Sequence, residues 1–169
     1  VTGNKVDTLY CDGAYQSEAE AKGDNLYSNF IKPYWAGTRK KFYDTYTDFT
    51  GGADYTLNTV NLQEQFANGY NFFDIATHGS PNLWALESGR YYVSDASSMK
   101  SNGFTIITTM ACQTNQFDSP TYEPCLSEAF MRNANNGVVA YLGCSRYGWG
   151  YSGGTSSLGP SLQYEAQFY

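Results

Sequence analysis

Two short apolar runs of the sequence each lead into a residue that can do chemistry. Phe72 to Thr77 is followed by His78, and Phe104 to Met110 is followed, after one alanine, by Cys112. Each run has the length and the aromatic or β-branched content of one buried strand. Catalytic groups collect just past the carboxyl ends of parallel strands, so two neighbouring strands would bring the imidazole and the thiol together. The pattern predicts a cysteine nucleophile with a histidine base.

Each of these residues has an ordinary structural explanation when taken alone. His78 is the sole histidine of the chain, and isolated histidines are more often packed or solvent-facing than catalytic. A single cysteine often serves as a small buried hydrophobe, but at a strand end Cys112 would be partly exposed, where an imidazole favours the reactive thiolate. The backbone N–H groups of Gly79 and Cys112 are the candidate oxyanion donors, although Gly79 could simply form a turn.

The elements that must position these residues alternate between strand and helix. Strands are predicted at Lys5–Cys11, Asn71–Thr77, Phe104–Met110 and Val138–Leu142, and helices at Thr56–Asn68, Ser94–Lys100, Pro124–Asn133 and Ser161–Tyr169. In the Thr56–Asn68 helix, Asn58 or Thr59 could cap the start, and Val60, Leu62 and Phe66 give the apolar stripe. Residues 14–54 are predicted to be an irregular insert with one helix across Ser28–Tyr34, and Ser80–Gly103 is predicted to be turn-rich around its short helix. This order predicts one α/β domain over residues 1–169, with a mostly parallel sheet and helices on both faces.

Composition excludes several classes of function. The 169 residues carry a net charge of −6, and Arg39-Lys40-Lys41 is the one basic cluster, so a nucleic-acid surface is not expected. No run approaches the ~20 apolar residues of a membrane helix, and the amino terminus lacks the features of a signal peptide. The 16 tyrosines and 17 glycines against 10 basic residues are typical of extracytoplasmic bacterial proteins. We therefore expect a mature or trimmed segment of a secreted or cell-surface bacterial protein.

The four cysteines do not form a metal-binding pattern. Cys11, Cys112, Cys125 and Cys144 contain no Cys-x-x-Cys pair, so a zinc knuckle is not expected. With Cys112 assigned as the nucleophile, the remaining three permit at most one disulfide and one free thiol.

Several motifs between Asn68 and Cys144 occur together and in a fixed order. They are Asn68-Gly69, then Thr77-His78-Gly79-Ser80 and Trp84, then Met110-Ala111-Cys112 with Phe117-Asp118, then the run Cys125 to Arg132, then Gly137-Val138-Val139-Ala140 and a serine-containing loop with Trp149. In order and spacing this set resembles the catalytic domain of the gingipain-type cysteine peptidases, peptidase family C25, in the clan of caspase-like folds. The likeness covers nearly half of the chain.

The resemblance implies a caspase-like α/β fold and an endopeptidase that cleaves protein or peptide substrates. Cys112 would attack the peptide carbonyl, His78 would supply and remove protons, and the amides of Gly79 and Cys112 would hold the oxyanion. No cofactor is required for this chemistry. Gingipains bind calcium structurally, but no regular ligand spacing in this sequence marks such a site.

The resemblance also implies a pocket for the residue before the cut. Trp149, on the loop that leaves the third core strand, would form one wall, with Thr77 and Met110 as further lining. Asp12 is the nearest candidate for the acidic residue that gives some members a preference for Arg or Lys. The carboxylate that would orient His78 is open between Asp7, Glu18 and Glu20.

Two alternatives stay open at this point. One keeps the fold with a different specificity, as in the caspase-like CHAT domains, which share the His-Gly and Ala-Cys arrangement. The other is a non-catalytic surface binding module derived from a peptidase, although such a module would have no need to keep both His78 and Cys112.

Overall fold

The described part of the chain alternates between short strands and short helices. A computed structural model describes residues 4–6, 23–35, 37–43, 54–86, 89–134, 137–150 and 159–169. Its strands are, in chain order, β1 Asn4–Val6, β2 Gly37–Arg39, β3 Phe42–Tyr43, β4 Tyr55–Thr56, β5 Phe72–Ile75, β6 Gly79–Ser80, β7 Leu83–Leu86, β8 Gly89–Tyr92, β9 Ile106–Thr109 and β10 Ala140–Leu142. The helices are α1 Thr59–Ala67, α2 Val93–Ser98, α3 Leu126–Arg132 and α4 Gly159–Phe168, with a π-helical turn at Tyr27–Ile31. None of the described helices has the length and apolar character needed to cross a membrane.

A parallel sheet of five strands lies at the centre, in the order β10-β9-β5-β1-β2. All four strand pairs are parallel, which confirms the predicted α/β class. The two runs that precede His78 and Cys112 are direct neighbours, with Phe72 paired to Ile106 and Ile75 paired to Thr109. Because neighbouring parallel strands end at the same edge, the segments after β5 and β9 leave the sheet together.

Alternate residues of the central strands enter two separate cores, as the period of a strand requires. On one face, Phe73 and Ile107 join the apolar side chains of α1 and α3. On the other face, Phe72 packs with Ile31 of the π-helical turn and Ala166 of α4. Helices thus cover both faces, as the sequence predicted. Each large side chain buried in these cores stabilises the fold by roughly 1.5–3 kcal/mol.

A second sheet, which the sequence analysis missed, lies within the segment predicted to be turn-rich. Strands β6, β7 and β8 form an antiparallel sheet in which Trp84 pairs with Tyr91. Both rings are fully buried, and the Trp84 ring lies 5.1 Å from that of Phe130 on α3. These strands are two to four residues long, too short for an alternating pattern to stand out from turns. What stabilises them is aromatic packing against α3, which is a tertiary contact.

The region predicted as an irregular insert contains regular structure where it is described. Residues 23–26 are helical and continue into the π-helical turn, so the helix lies earlier than the predicted Ser28–Tyr34. Strand β2 then forms an outer strand of the central sheet. The predicted strand Lys5–Cys11 corresponds to β1, and its part beyond Val6 lies outside the described residues.

Helix α1 begins where its capping residue predicts. The side chain of Asn58 accepts a hydrogen bond of 2.8 Å from the Asn61 N–H, which satisfies one of the free amides of the first turn. Leu62 and Phe66 are fully buried, whereas Val60 is 71% exposed. Val60 precedes Leu62 by two positions and therefore lies on the opposite side of the helix, so its place in the predicted apolar stripe was wrong.

Candidate active site

His78 and Cys112 occupy equivalent positions beyond two paired strand ends. Ile75 and Thr109 are register partners, and each of the two candidate residues follows its partner by three positions. His78 is exposed and Cys112 is half-buried. The strand register therefore delivers both residues to the same edge of the sheet.

The backbone next to His78 lies directly against the backbone of Cys112. A Cβ atom placed on Gly79 would lie 2.7 Å from the Cys112 carbonyl oxygen and 2.9 Å from Ala111 Cβ, closer than real side chains approach. The Ala85 N–H donates to the His78 carbonyl oxygen at 2.8 Å. Gly79 and its register partner Trp84 are therefore a non-hydrogen-bonded pair of the antiparallel β6–β7 ladder. In such a pair the N–H groups point away from the partner strand, so the Gly79 N–H makes no hydrogen bond to β7.

A tight turn after β9 presents Cys112. The hydroxyl of Thr109 accepts a hydrogen bond of 3.0 Å from the Ala111 N–H, and the Thr114 hydroxyl donates to the Ala111 carbonyl oxygen at 3.1 Å. Gln113 has a φ of 60°, a conformation that non-glycine residues seldom adopt, and its N–H donates to the Arg146 carbonyl oxygen at 2.6 Å. Among the described residues the Cys112 N–H donates to no protein acceptor. The turn thus leaves this amide available beside the thiol.

Gly148, which the sequence analysis did not single out, contacts the Cys112 sulfur. Its N–H donates to Cys112 Sγ at 3.3 Å, and a Cβ atom at this position would overlap the Met110 carbonyl oxygen. The Cys112 thiol in turn donates to the Gly148 carbonyl oxygen at 3.9 Å, so Gly148 contacts the sulfur through both of its backbone polar groups. The glycine-rich loop after the third core strand was the available signal, because glycine marks sites of close backbone approach.

The remaining predicted pocket residues have different surroundings. Trp149 is 66% exposed, its N–H donates to Ser161 Oγ at 2.8 Å, and its carbonyl oxygen accepts from the Ser161 N–H, so α4 holds the backbone of Trp149 in place. Met110 is half-buried, and a Cβ atom on Gly150 would lie 3.6 Å from its Cε, which places Met110 next to the Trp149 loop. The Thr77 hydroxyl donates to the Ala85 carbonyl oxygen in β7.

The predicted acidic residues of the amino-terminal region lie outside the described residues. These are Asp12, the candidate for binding a basic side chain, and the three candidates for orienting His78, namely Asp7, Glu18 and Glu20. Their roles stay predictions.

A buried acidic cluster, unforeseen from the sequence, lies beneath the same sheet. The Thr108 hydroxyl donates to Asp74 Oδ1 at 2.8 Å and lies 2.8 Å from the hydroxyl of Tyr169, the residue after α4. Burial raises the pKa of Asp74 to about 7, against the lowering effect of the Thr108 hydrogen bond. Burial and the nearby Asp74 also raise the pKa of Glu165 well above its ordinary value. An acidic residue inside the apolar run of β5 was the only signal for this cluster.

No cluster of three His, Cys, Asp or Glu side chains that could hold a metal ion occurs among the described residues. Calcium also binds backbone and amide carbonyl oxygens, so the structural calcium implied by the resemblance stays a prediction.

Comparison with known proteins relates this geometry to a family. Residues 2–169 match Peptidase family C25, and no match is found among the curated proteins. The fold matches a structure described as "Crystal structure of the Arg specific cysteine proteinase gingipain R (RGPB)", with a TM-score of 0.66, 19% identity and coverage of 89% of this chain and 33% of the other. It also matches the "Complex of Porphyromonas gingivalis RgpB pro- and mature domains", with a TM-score of 0.65 and 20% identity over 86% and 33% of the two chains.

A third match, described as "Structure of Protease", has a TM-score of 0.61 and 20% identity, and it covers 86% of this chain and 29% of the other. The chain therefore spans about a third of the length of the solved chains that it resembles. The structural likeness confirms the predicted caspase-like fold, and the family match extends over almost every residue. The chain belongs to Peptidase family C25, the family of cysteine peptidases that the sequence motifs indicated.

Proposed function

We propose that the protein is a cysteine endopeptidase in which Cys112 is the nucleophile and His78 is the general base and acid. The observation that carries this proposal is the pairing of Ile75 with Thr109, which brings both residues to one edge of the sheet at equal offsets. The contact between the Gly79 and Cys112 backbones supports it, because it leaves no room for an intervening side chain. Membership of a cysteine peptidase family supports the reaction class.

The first half of the proposed reaction forms an acyl-enzyme. His78 accepts the thiol proton, and the Cys112 sulfur attacks the carbonyl carbon of the scissile peptide bond. The carbonyl oxygen becomes an oxyanion, which the N–H groups of Cys112 and Gly79 stabilise. Before the attack, the Gly148 N–H contacts the sulfur at 3.3 Å and holds it in position. Collapse of the intermediate breaks the C–N bond as the His78 imidazolium gives its proton to the leaving amine.

The second half of the reaction releases the product. Neutral His78 takes a proton from a water molecule, whose oxygen attacks the thioester carbon. The same two N–H groups stabilise the second oxyanion. The C–S bond then breaks, which frees the carboxylic acid and returns Cys112 as a thiolate next to a protonated imidazole.

We propose a preference for Arg or Lys before the scissile bond, with Asp12 as the partner of the basic side chain. The support is the motif resemblance and the fold shared with a proteinase described as Arg specific. An acidic residue in a pocket would pair with a guanidinium or ammonium group. A panel of fluorogenic peptides that differ only in the residue before the cut tests this preference, and Asp12→Asn should lower kcat/KM for the basic substrates alone. Equal rates for basic and neutral residues would contradict it.

The dyad is tested with single substitutions in the full chain. Cys112→Ala should abolish peptide cleavage and labelling by a thiol-directed affinity probe, and His78→Ala should lower kcat by about 10²–10⁴-fold, the usual contribution of acid–base catalysis. Cys125→Ala is the matched control, because Cys125 is fully buried at the start of α3 and has no proposed part in the reaction.

Cleavage that persists in Cys112→Ala would refute the nucleophile assignment. Folded protein that neither cleaves any peptide of a broad library nor reacts with the probe would favour a binding module.

A secreted or cell-surface location in a bacterium forms part of this proposal. It rests on the tyrosine-rich composition and on the resemblance. Detection of the protein with antibodies in the medium and on intact cells of its source tests it, and confinement to the cytoplasmic fraction would contradict it.

A further inference from the structure

The sulfur of the candidate nucleophile, Cys112, and the sulfur of Cys144 both lie close to Gly148. Cys112 Sγ accepts the Gly148 N–H at 3.3 Å, and a Cβ atom placed on the same glycine would lie 3.2 Å from Cys144 Sγ. Both cysteines are free thiols in this structure, and both are half-buried. We propose that Cys112 and Cys144 are an oxidation site, at which a hydroperoxide converts the pair into a reversible disulfide. This chemistry goes beyond peptide cleavage and does not require it.

The strand pairing beneath these residues makes the two segments that carry the sulfurs neighbours. Strands β9 and β10 are parallel, with Leu142 paired to Thr108, and both cysteines lie on the segments that follow. Cys144 Sγ donates to the Met110 carbonyl oxygen at 3.6 Å, and the Asn115 N–H donates to the Cys144 carbonyl oxygen at 3.1 Å. Continuing this register places Cys144 opposite Met110, two positions before Cys112, so a disulfide, which spans about 4.4–6.8 Å between Cα atoms, needs the two segments to move towards each other. Joining the sulfurs therefore requires a local shift of the Gly148 loop and leaves the sheet intact.

The two thiols have different surroundings, which assigns their roles. Burial, followed by the nearby Glu165 and Cys112, raises the pKa of Cys144 to about 11, although its hydrogen bond with Ser161 acts in the opposite direction. Cys144 is therefore a neutral thiol at neutral pH and reacts slowly with peroxide, because the thiolate is the reactive form. Cys112, whose sulfur lies between the Gly148 N–H at 3.3 Å and the Gly148 carbonyl oxygen at 3.9 Å, is therefore the residue that is oxidised first. Cys144 is the resolving thiol.

The proposed steps balance with hydrogen peroxide as the oxidant. The Cys112 sulfur attacks one peroxide oxygen, an S–O bond forms, the O–O bond breaks, and the departing hydroxide takes up the proton that Cys112 had released. The Cys144 sulfur then attacks the sulfenic sulfur, the S–S bond forms, and the S–O bond breaks. The oxygen leaves as water with the Cys144 proton. The cysteine pair loses two electrons, which reduce the peroxide, and a dithiol reverses the change by exchange.

The consequence is protection of the nucleophile. A sulfenic acid without a neighbouring thiol is oxidised further to sulfinic and sulfonic acids, which dithiols do not reduce. The Cys144 thiol would react with the sulfenic acid before that step. Cys112 would then be held in a disulfide, which a dithiol can reduce.

The test maps the oxidised bond directly. The full chain is treated with hydrogen peroxide, free thiols are alkylated under denaturing conditions, and the protein is digested after aspartate and glutamate residues. This digestion separates Cys112 on residues 96–118 from Cys125 on residues 119–128 and from Cys144 on residues 129–165. We expect a disulfide-linked pair of the first and third peptides that dithiothreitol removes. Linkage of Cys112 to Cys125 or Cys11, or no linkage at all, would overturn the proposal.

Variants check the role of the resolving thiol. In Cys144→Ala, and in Cys144→Ser, which keeps a donor towards the Met110 carbonyl oxygen, we expect sulfinic and sulfonic acids at Cys112 and a several-fold lower recovery of its thiol after dithiothreitol. Cys125→Ala should behave like the parent chain. Equal recovery in the Cys144 variants and the parent would contradict the proposal. Because mass spectrometry and thiol counts are the readouts, the result is independent of whether the chain cleaves peptides.

Discussion

Gly79 and Cys112 touch through their backbones, with the Cys112 carbonyl oxygen 2.7 Å from the point that a Cβ atom of Gly79 would occupy. One residue follows the candidate base and the other is the candidate nucleophile. The contact fixes the spacing between the loops after β5 and β9 at the edge of the sheet. It also places the two N–H groups proposed for the oxyanion on adjoining stretches of backbone.

Gly79→Ala should separate these two loops. The added methyl group would meet the Cys112 carbonyl oxygen and Thr114 Cγ2, both at 2.7 Å, so one loop must move and the oxyanion donors would no longer align. We expect kcat/KM on a peptide substrate to fall about 10²–10³-fold, the usual cost of losing one such donor. Gly103→Ala is the control, since its Cβ atom would meet nothing closer than 3.8 Å. Unchanged turnover in Gly79→Ala would argue against the assigned oxyanion site.

Gly148→Ala should displace the loop that contacts the Cys112 sulfur. Its Cβ atom would overlap the Met110 carbonyl oxygen, which forces the loop outward and removes the N–H donor from Cys112 Sγ. Misplacement of a reacting atom by about 1 Å can cost about 10²-fold in rate, so turnover of a peptide substrate should slow by about that factor. Gly150→Ala is matched to it, because its nearest neighbour would be Met110 Cε at an ordinary 3.6 Å. Similar slowing in both variants would indicate general loosening of the loop.

Asp74→Asn should change how stability depends on pH. Burial raises the pKa of Asp74 from 3.8 to about 7, so between these values the folded state holds a proton that the unfolded state has lost. Stability from this group is complete below pH 4 and is lost as the pH rises to about 7. Asparagine stays neutral at every pH. The free energy of unfolding of the variant should therefore rise relative to that of the parent over this pH range, by at most about 4 kcal/mol at pH 8. Parallel curves of unfolding free energy against pH would contradict the shift.

Asp118→Asn serves as the control for that measurement. The exposed Arg146 guanidinium lowers the pKa of Asp118, so its contribution is present above its ordinary pKa and lost as the pH falls. Asp118→Asn should therefore not show the increase in unfolding free energy at high pH that is expected for Asp74→Asn.

Asn58→Ala should destabilise the fold through helix α1 alone. The variant loses the 2.8 Å hydrogen bond to the Asn61 N–H, and removal of such a cap costs about 0.5–2 kcal/mol. Asn58→Asp, which keeps an acceptor at the same position, should retain most of the stability in urea denaturation. Equal losses in the two variants would show that the side chain acts through packing and not as a cap.

The sequence by itself determined the features that depend on neighbouring residues. The β-branched runs around Phe73 and Ile107 predicted the two core strands, and Asn58 predicted the start of α1. The abrupt change from apolar strand to His78 and Cys112 predicted which edge of the sheet carries the chemistry. These signals are local because strand period, capping and chain polarity act within a few residues.

Tertiary structure alone decided the contacts made across long separations. Gly148 reaches the Cys112 sulfur from 36 residues away, and Thr108 joins Asp74 to Tyr169, which is 61 residues further along the chain than Thr108. The β6–β8 sheet forms because Trp84 and Tyr91 pack against Phe130. None of these leaves a periodic trace in the sequence, because each depends on how packed elements approach one another and exclude water.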